Sequence, residues 1–269
     1  MAWESANDGD ICTGNLATPN FALANIALGS ILVAPSLGTN ATLGTTRYNH
    51  GVAANSLNSI NQTVSEVGVF RMTATPPEAK QPEGSTVSTG YFGYTIPATS
   101  VPMGRFVPWD FYLVSSTVTP ACGGFSYMSQ PFWVQTTVQA RNKQGEITQN
   151  YRDAFAKGVI SLVAANNQDG VDRSNRLVDS SNRLVDPLVA SWSAGEVRFN
   201  DQIRFKRLQD LTTPATLTTP EEPLRLLRLG LKVGDGETPE TTFLDGRNMN
   251  PSVSGTCQSG VNCTAKQLS

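Results

Sequence analysis

Phe132-Trp133-Val134-Gln135-Thr136-Thr137-Val138-Gln139-Ala140 decides the fold class of this 269-residue chain. Phe132, Val134, Thr136, Val138 and Ala140 share one face, and Trp133, Gln135, Thr137 and Gln139 share the other. A period of two over nine residues is the signature of a β-strand with one face in a core and the other in water. Arg141-Asn142-Lys143-Gln144-Gly145-Glu146 follows as a polar turn, and Ile147 to Tyr151 reads as the returning arm of a hairpin.

The same reading extends in both directions. Downstream, Asp153 to Lys157 suits one short helical turn, while Val159–Ala165, Gly195–Leu208 and Leu226–Val233 read as strands. The last of these sets Leu227, Leu229, Leu231 and Val233 against Arg228 and Lys232. Upstream, Phe21–Pro35 reads as one or two strands interrupted by Asn25 and Gly29, and Ser65–Ala74 as a strand that Pro76-Pro77 ends. Three prolines and scattered charge make residues 75–90 an exposed loop, after which Tyr91–Pro97 resumes a strand. A proline among aromatics in Gly104–Leu113 places a domain boundary near Arg105. The expectation is all-β: tandem immunoglobulin-like β-sandwich domains at 10–104 and 105–248, with 249–269 as loop or tail. A single larger sandwich is the alternative.

Composition narrows the function classes. Charged residues make up 16% of the chain and the formal net charge is −2, so no field exists to recruit nucleic acid or an anionic membrane. No apolar run is long enough to span a bilayer. Met1-Ala2-Trp3-Glu4-Ser5 lacks the basic and apolar regions of a signal peptide although the composition is that of an exported protein, so the chain reads as a piece of a larger exported precursor. Serine-hydrolase, zincin, Walker and dinucleotide motifs are missing, which argues against an enzyme.

Candidate sites are few. Cys12, Cys122, Cys257 and Cys263 allow three full pairings and make no CxxC. The five residues between Cys257 and Cys263, Gly260 among them, can close a small loop, which leaves Cys12 for Cys122. Asp8 with Asp10, Asp169 with Asp172, and Asp235 with Glu237 are acidic pairs beside glycine, weak calcium candidates outside the EF-hand register. The single histidine, His50, is expected in an exposed loop, and Glu221-Glu222 as surface charge. Arg204, Lys206, Arg207, Arg225, Arg228 and Lys232 form a basic stripe that fits solvated strand faces better than an acidic glycan site. Trp109, Trp133 and Trp192 could each serve as a sugar platform, although core packing is the commoner use of a tryptophan. The hexapeptide Ser-Asn-Arg-Leu-Val-Asp occurs at 174–179 and again at 181–186, which reads as a local duplication in a surface loop.

GRFVPWDFYL, ACGGFSYMSQPF and VQARNKQGEITQNYRDAFAKG, all between Gly104 and Gly158, resemble the C-terminal domain of unknown function of MshQ proteins of the MSHA type IV pilus system. SEVGVFRMTATPP and YFGYTIPA before them, and WSAGEVRF, RFKR and LRLGLKVGDGE after them, extend the resemblance over most of the chain. Members of that family continue with further strands, so the chain reads as truncated at its C-terminus. The resemblance implies a bacterial cell-surface or extracellular location and transfers no catalytic residue.

The expected function is therefore a pilus-associated adhesin or structural module without enzymatic activity or cofactor. Its partners would be other pilus or surface subunits, or a host or matrix glycan or protein. A strand-accepting filament subunit and a calcium-dependent carbohydrate-binding or carbohydrate-active domain are the alternatives, with residues 75–90 and 166–187 as candidate loops.

Overall fold

The computed structural model describes residues 20–77, 100–166, 171–188, 190–208, 221–237 and 266–267. All regular structure there is β-strand, apart from short 3-10 turns at Ala54–Ser56, Asp153–Phe155 and Ser174–Arg176. The strands form three antiparallel sheets. The chain divides into two compact units, Met1–Phe106 and Val107–Ser269.

The first unit holds one sheet, built from β1 (Leu23–Ala34), β2 (Arg47–His50), β3 (Gly68–Thr75) and β4 (Met103–Phe106) in the order β2-β1-β3-β4. Phe21–Pro35 thus contributes a single long strand. Asn25 does not end it: the residue turns into the left-handed region at φ 66° where the β1–β2 register slips between Leu23 and Ile26. A short polar side chain tolerates that conformation, and the result is a bulge. Val67 and Phe70 are fully buried beside Leu43 and Ala41 and anchor this unit.

The second unit contains two sheets, an arrangement consistent with a β-sandwich. β5 (Asp110–Thr119), β6 (Phe132–Arg141), β10 (Glu196–Phe205) and β9 (Leu177–Asp179) lie in the order β5-β6-β10-β9. β12 (Lys266–Gln267), β11 (Leu227–Gly234), β7 (Val159–Asn166) and β8 (Val171–Asp172) form the other. The alternation of β6 is realised as read: Phe132, Val134, Thr136, Val138 and Ala140 are buried, and Trp133 and Gln135 are exposed. Each buried Val, Leu or Phe contributes about 1.5–3 kcal/mol. Ile160, Ser161, Leu162, Val163 and Ala164 are all buried, so β7 is covered on both faces. Tyr151, Phe111 and Trp192 meet with ring centroids 5.0–5.7 Å apart, and the Trp192 indole N–H donates to the Gly158 carbonyl at 2.7 Å.

Residues 147–151 form no returning strand. β6 already pairs with β5 on one side and β10 on the other, so neither of its edges is open to a third strand. After a tight turn, in which the Asn142 side-chain oxygen accepts the Gln144 and Glu146 N–H groups, the chain makes one bridge from Arg141 to Ile147 and dives inward to bury Tyr151. β10 is entered through Ser193-Ala194-Gly195-Glu196, with φ of 48° at Ala194 and 79° at Gly195 and reciprocal Ser193–Glu196 hydrogen bonds. Two successive positive φ values are those of a type I′ hairpin turn. A Cβ on Gly195 would also strike Thr148 and Ile147.

The hexapeptide repeat is not a surface loop. Its first copy supplies a 3-10 turn and then β9, the strand that pairs with β10. The copies pair with each other through a Val178–Leu184 bridge and an Asp179 N–H to Arg183 carbonyl bond of 2.9 Å. Beyond them, Leu162 N–H donates to the Val185 carbonyl at 3.0 Å and Leu188 N–H to the Ile160 carbonyl at 2.7 Å. The duplicated segment therefore ties one sheet of the unit to the other. The first copy lays one short strand, and the second contributes a turn and a single bridge.

Candidate functional site

The outer face of the β5-β6-β10 sheet follows directly from the alternation of β6. Residues paired across antiparallel strands share a face, so register fixes the rows. Trp133 lies between Thr119 and Gln202, Gln135 between Thr117 and Asn200, Thr137 between Ser115 and Arg198, and Gln139 between Tyr112 and Glu196. β5 keeps phase only because Val114 is an extra residue between Leu113 and Ser115, which turns the Ser115, Thr117 and Thr119 side outward.

The side chains on this face bond to one another. The Gln135 amide donates to Asn200 Oδ1 at 3.1 Å, and the Gln139 amide to Glu196 Oε2 at 3.0 Å. Glu196 Oε1 takes Arg198 Nε at 2.6 Å. The Gln139 hydrogen bond, helped by Arg198 and opposed by burial, holds the Glu196 carboxyl below the usual carboxylate range. At one end of the strip the Arg141 guanidinium lies 3.7 Å over the Tyr112 ring and 3.5 Å from Asp110, and Lys143 stands 5.1 Å from the Trp109 ring. At the other end Trp133 is 45% exposed. Arg141 and Arg198 thus face carboxylates or rings, and the strip presents amides, hydroxyls and aromatic faces. It can hydrogen-bond and stack.

Of the three tryptophans considered as platforms, Trp109 and Trp133 are exposed, whereas Trp192 belongs to the core and cannot serve as one. His50 is not in an exposed loop. It ends β2, half-buried, with its ring 5.5 Å from Phe21, its Nδ1 3.0 Å from the Tyr48 hydroxyl and its Nε2 3.4 Å from the Asn58 amide.

The acidic candidates are engaged in local structure. Asp172 Oδ1 accepts the Ser174 N–H and hydroxyl, Asp235 Oδ1 accepts the Glu237 N–H, and Glu237 pairs with Lys157 at 2.8 Å. Among the described residues no three acidic, histidine or cysteine side chains gather as a metal would need. Asp169, Asp8 and Asp10 lie outside the described residues, as do Cys12, Cys257, Cys263 and the loop strand at 91–97. Among the described residues Cys122 has no disulfide partner, and the Gln130 amide lies 3.5 Å from its sulfur.

The basic stripe is divided between two sheets, Arg204 on β10 and Arg228 and Lys232 on β11. Arg204 donates to the Ser180 carbonyl at 2.9 Å and to Asn182 Oδ1 at 3.3 Å, which closes the turn between the repeat copies. Glu221 is likewise not surface charge. Its carboxylate accepts Arg176 Nη2 at 2.9 Å, pairs with Nη1 at 2.6 Å, and accepts the Leu208 N–H at 3.0 Å. Arg176 also donates Nε to the Lys206 carbonyl at 2.8 Å and packs 4.3 Å over the Phe205 ring. Burial pushes the Glu221 carboxyl up, but Arg176 and the Leu208 N–H outweigh it and leave the group below its ordinary value. Forty-five residues separate the pair, and no local pattern announces it.

No curated protein and no solved structure matches the chain. Two family models do: residues 1–59 match DUF6701, second domain, and residues 66–264 match DUF6701, third domain. The boundary between those matches precedes β3, whereas the compact units divide after β4. β3 therefore comes from the third-domain segment yet pairs with β1 of the second-domain segment from Ala27–Thr75 to Ala34–Val69. The two matched segments share one sheet in the first unit, and the strip on β5, β6 and β10 lies wholly within the third-domain match: on these matches the chain belongs to the DUF6701 family.

Proposed function

We propose that this chain is an extracytoplasmic module of a bacterial surface appendage, of the MshQ type, with an adhesive or structural role and no catalysis. Its architecture is read as tandem immunoglobulin-like sandwiches, a form suited to stalks because each unit buries its own core. Its location and its company of pilus or surface subunits rest on the MshQ-like motifs between Gly104 and Gly158. The observation that carries the adhesive role is the outer strip of β5-β6-β10, where Trp133 and Tyr112 stand among amides and hydroxyls above an apolar inner face. A face held rigid by the core behind it can meet a partner with little ordering cost.

The test is surface accessibility in the native bacterium. Antibodies against the purified chain are expected to label intact cells, and external protease to remove the epitope. An epitope that is protected in intact cells and fractionates with cytoplasmic markers would overturn the proposal.

A further inference from the structure

We infer that the outer strip of β5-β6-β10 binds a neutral polysaccharide, with Trp133 stacking on a sugar ring and Gln135, Gln139 and Asn200 bonding its hydroxyls. The inference rests on the surface-module reading and adds the ligand class.

Charge selects the occupant. Arg198 is paired with Glu196, Arg141 with Asp110 and the Tyr112 ring, and Arg204 with the Ser180 carbonyl and Asn182 Oδ1, so each guanidinium on β6 and β10 already has a partner that phosphate, sulfate or uronate would have to displace. Thr117, Thr119, Ser115, Thr137, Gln135, Asn200 and Gln202 carry no charge. Protein partners select apolar cores rimmed by charge, and nucleic acids select cations. A neutral polyol matches amides, each of which donates and accepts. The apolar underside of a sugar ring also matches an indole face that water wets poorly.

Size selects a polymer. Trp133 and Gln139 stand six residues apart on β6, roughly 20 Å at ~3.4 Å per residue, and three strands at ~4.8 Å spacing make the strip roughly 10 Å wide. That is an open track for an extended chain of several sugars. Gln135–Asn200 and Gln139–Glu196 lie four residues apart along it, with the Thr137 row between them, which fixes the amides in place before ligand arrives.

The experiment is affinity electrophoresis of the whole chain through gels containing neutral glucans, mannans, galactans or xylans, with alginate and a sulfated galactan as charged comparisons. Retardation by at least one neutral polymer is expected, unchanged by salt. Trp133→Ala should weaken it by at least about tenfold, and Gln135→Ala by a few-fold, with far-UV circular dichroism unchanged. Arg228→Ala, an exposed position on β11 of the other sheet, should leave it intact.

Failure of every neutral polymer to retard the chain would overturn the inference, as would salt-sensitive binding to the charged polymers only. Retardation that survives Trp133→Ala would show that the strip is not the site. Concentration-dependent self-association that Trp133→Ala abolishes would make the strip an interface between copies instead. None of these outcomes touches the surface-module reading, which surface labelling decides separately.

Discussion

Ser174–Asp179 and Ser181–Asp186 have the same six residues and opposite lives. In the first copy the Arg176 side chain is 3% exposed and locked to Glu221, and Leu177 is fully buried. In the second, Arg183 is 65% exposed and Leu184 52%. The valines behave alike, since Val178 and Val185 are both buried, and so do the exposed Asn175 and Asn182. Local propensity is identical in the two, so the difference comes entirely from what each strand pairs with. The first copy lies between β10 and the second copy, while the second turns away toward β7. Arginine burial is set by partners, and only one copy has Glu221 within reach.

Single substitutions test that contrast. The largest expected effect is at the leucines: Leu177→Ala should cost about 3–4 kcal/mol, as filled core sites do, and Leu184→Ala less than about 1 kcal/mol. Urea unfolding followed by the fluorescence of buried Trp192 reads both, and equal losses would erase the distinction. Next come the arginines. Arg176→Ala strands a carboxylate that is itself largely buried and should cost about 3 kcal/mol, whereas Arg183→Ala removes an exposed pair worth about 0–1 kcal/mol.

Val178→Ala and Val185→Ala should then cost nearly the same, about 2 kcal/mol each, because both are buried. A clear inequality would mean that one copy is not packed as described.

The smallest effect is in pH. The Glu221 carboxyl lies below its ordinary value in the folded state, so it binds fewer protons folded than unfolded near its titration. Its contribution is full above the unfolded carboxylate pKa of about 4.3 and is lost as pH falls through the lower folded value. Asp179 has the same sign: burial raises it, but the N–H groups of Arg183 and Ser181 and the Arg183 guanidinium prevail. Glu221→Gln should therefore flatten the acid limb of the stability curve more than Asp179→Asn, since Asp179 draws on an exposed arginine. A steeper acid limb in Glu221→Gln would reverse the assigned sign.

Much of the strand inventory was legible. β6, β7, β10 and β11 stand where alternation and apolar runs put them, because a half-buried strand must write its two faces into its sequence. The return after Glu146 was misread because composition describes a turn but not whether the edge beside it is already taken. The candidate strip was half legible: Trp133, Gln135, Thr137 and Gln139 announce a solvent face, but Asn200 and Glu196 join it only through register. Glu221 was misplaced for the same reason, since Arg176 lies 45 residues away, and His50 because the β1–β2 pairing that makes its segment a strand is not written in its own polar surroundings.

Periodicity and composition carry the all-β class, the solvent face of β6 and a formal net charge of −2. Long-range pairing sets which copy of Ser-Asn-Arg-Leu-Val-Asp enters the core, that Glu221 receives Arg176, and that Trp192 is packed while Trp133 is offered to solvent. Identical local preferences cannot choose between burial and exposure. That choice is made by distant groups which pairing brings within hydrogen-bonding and packing distance.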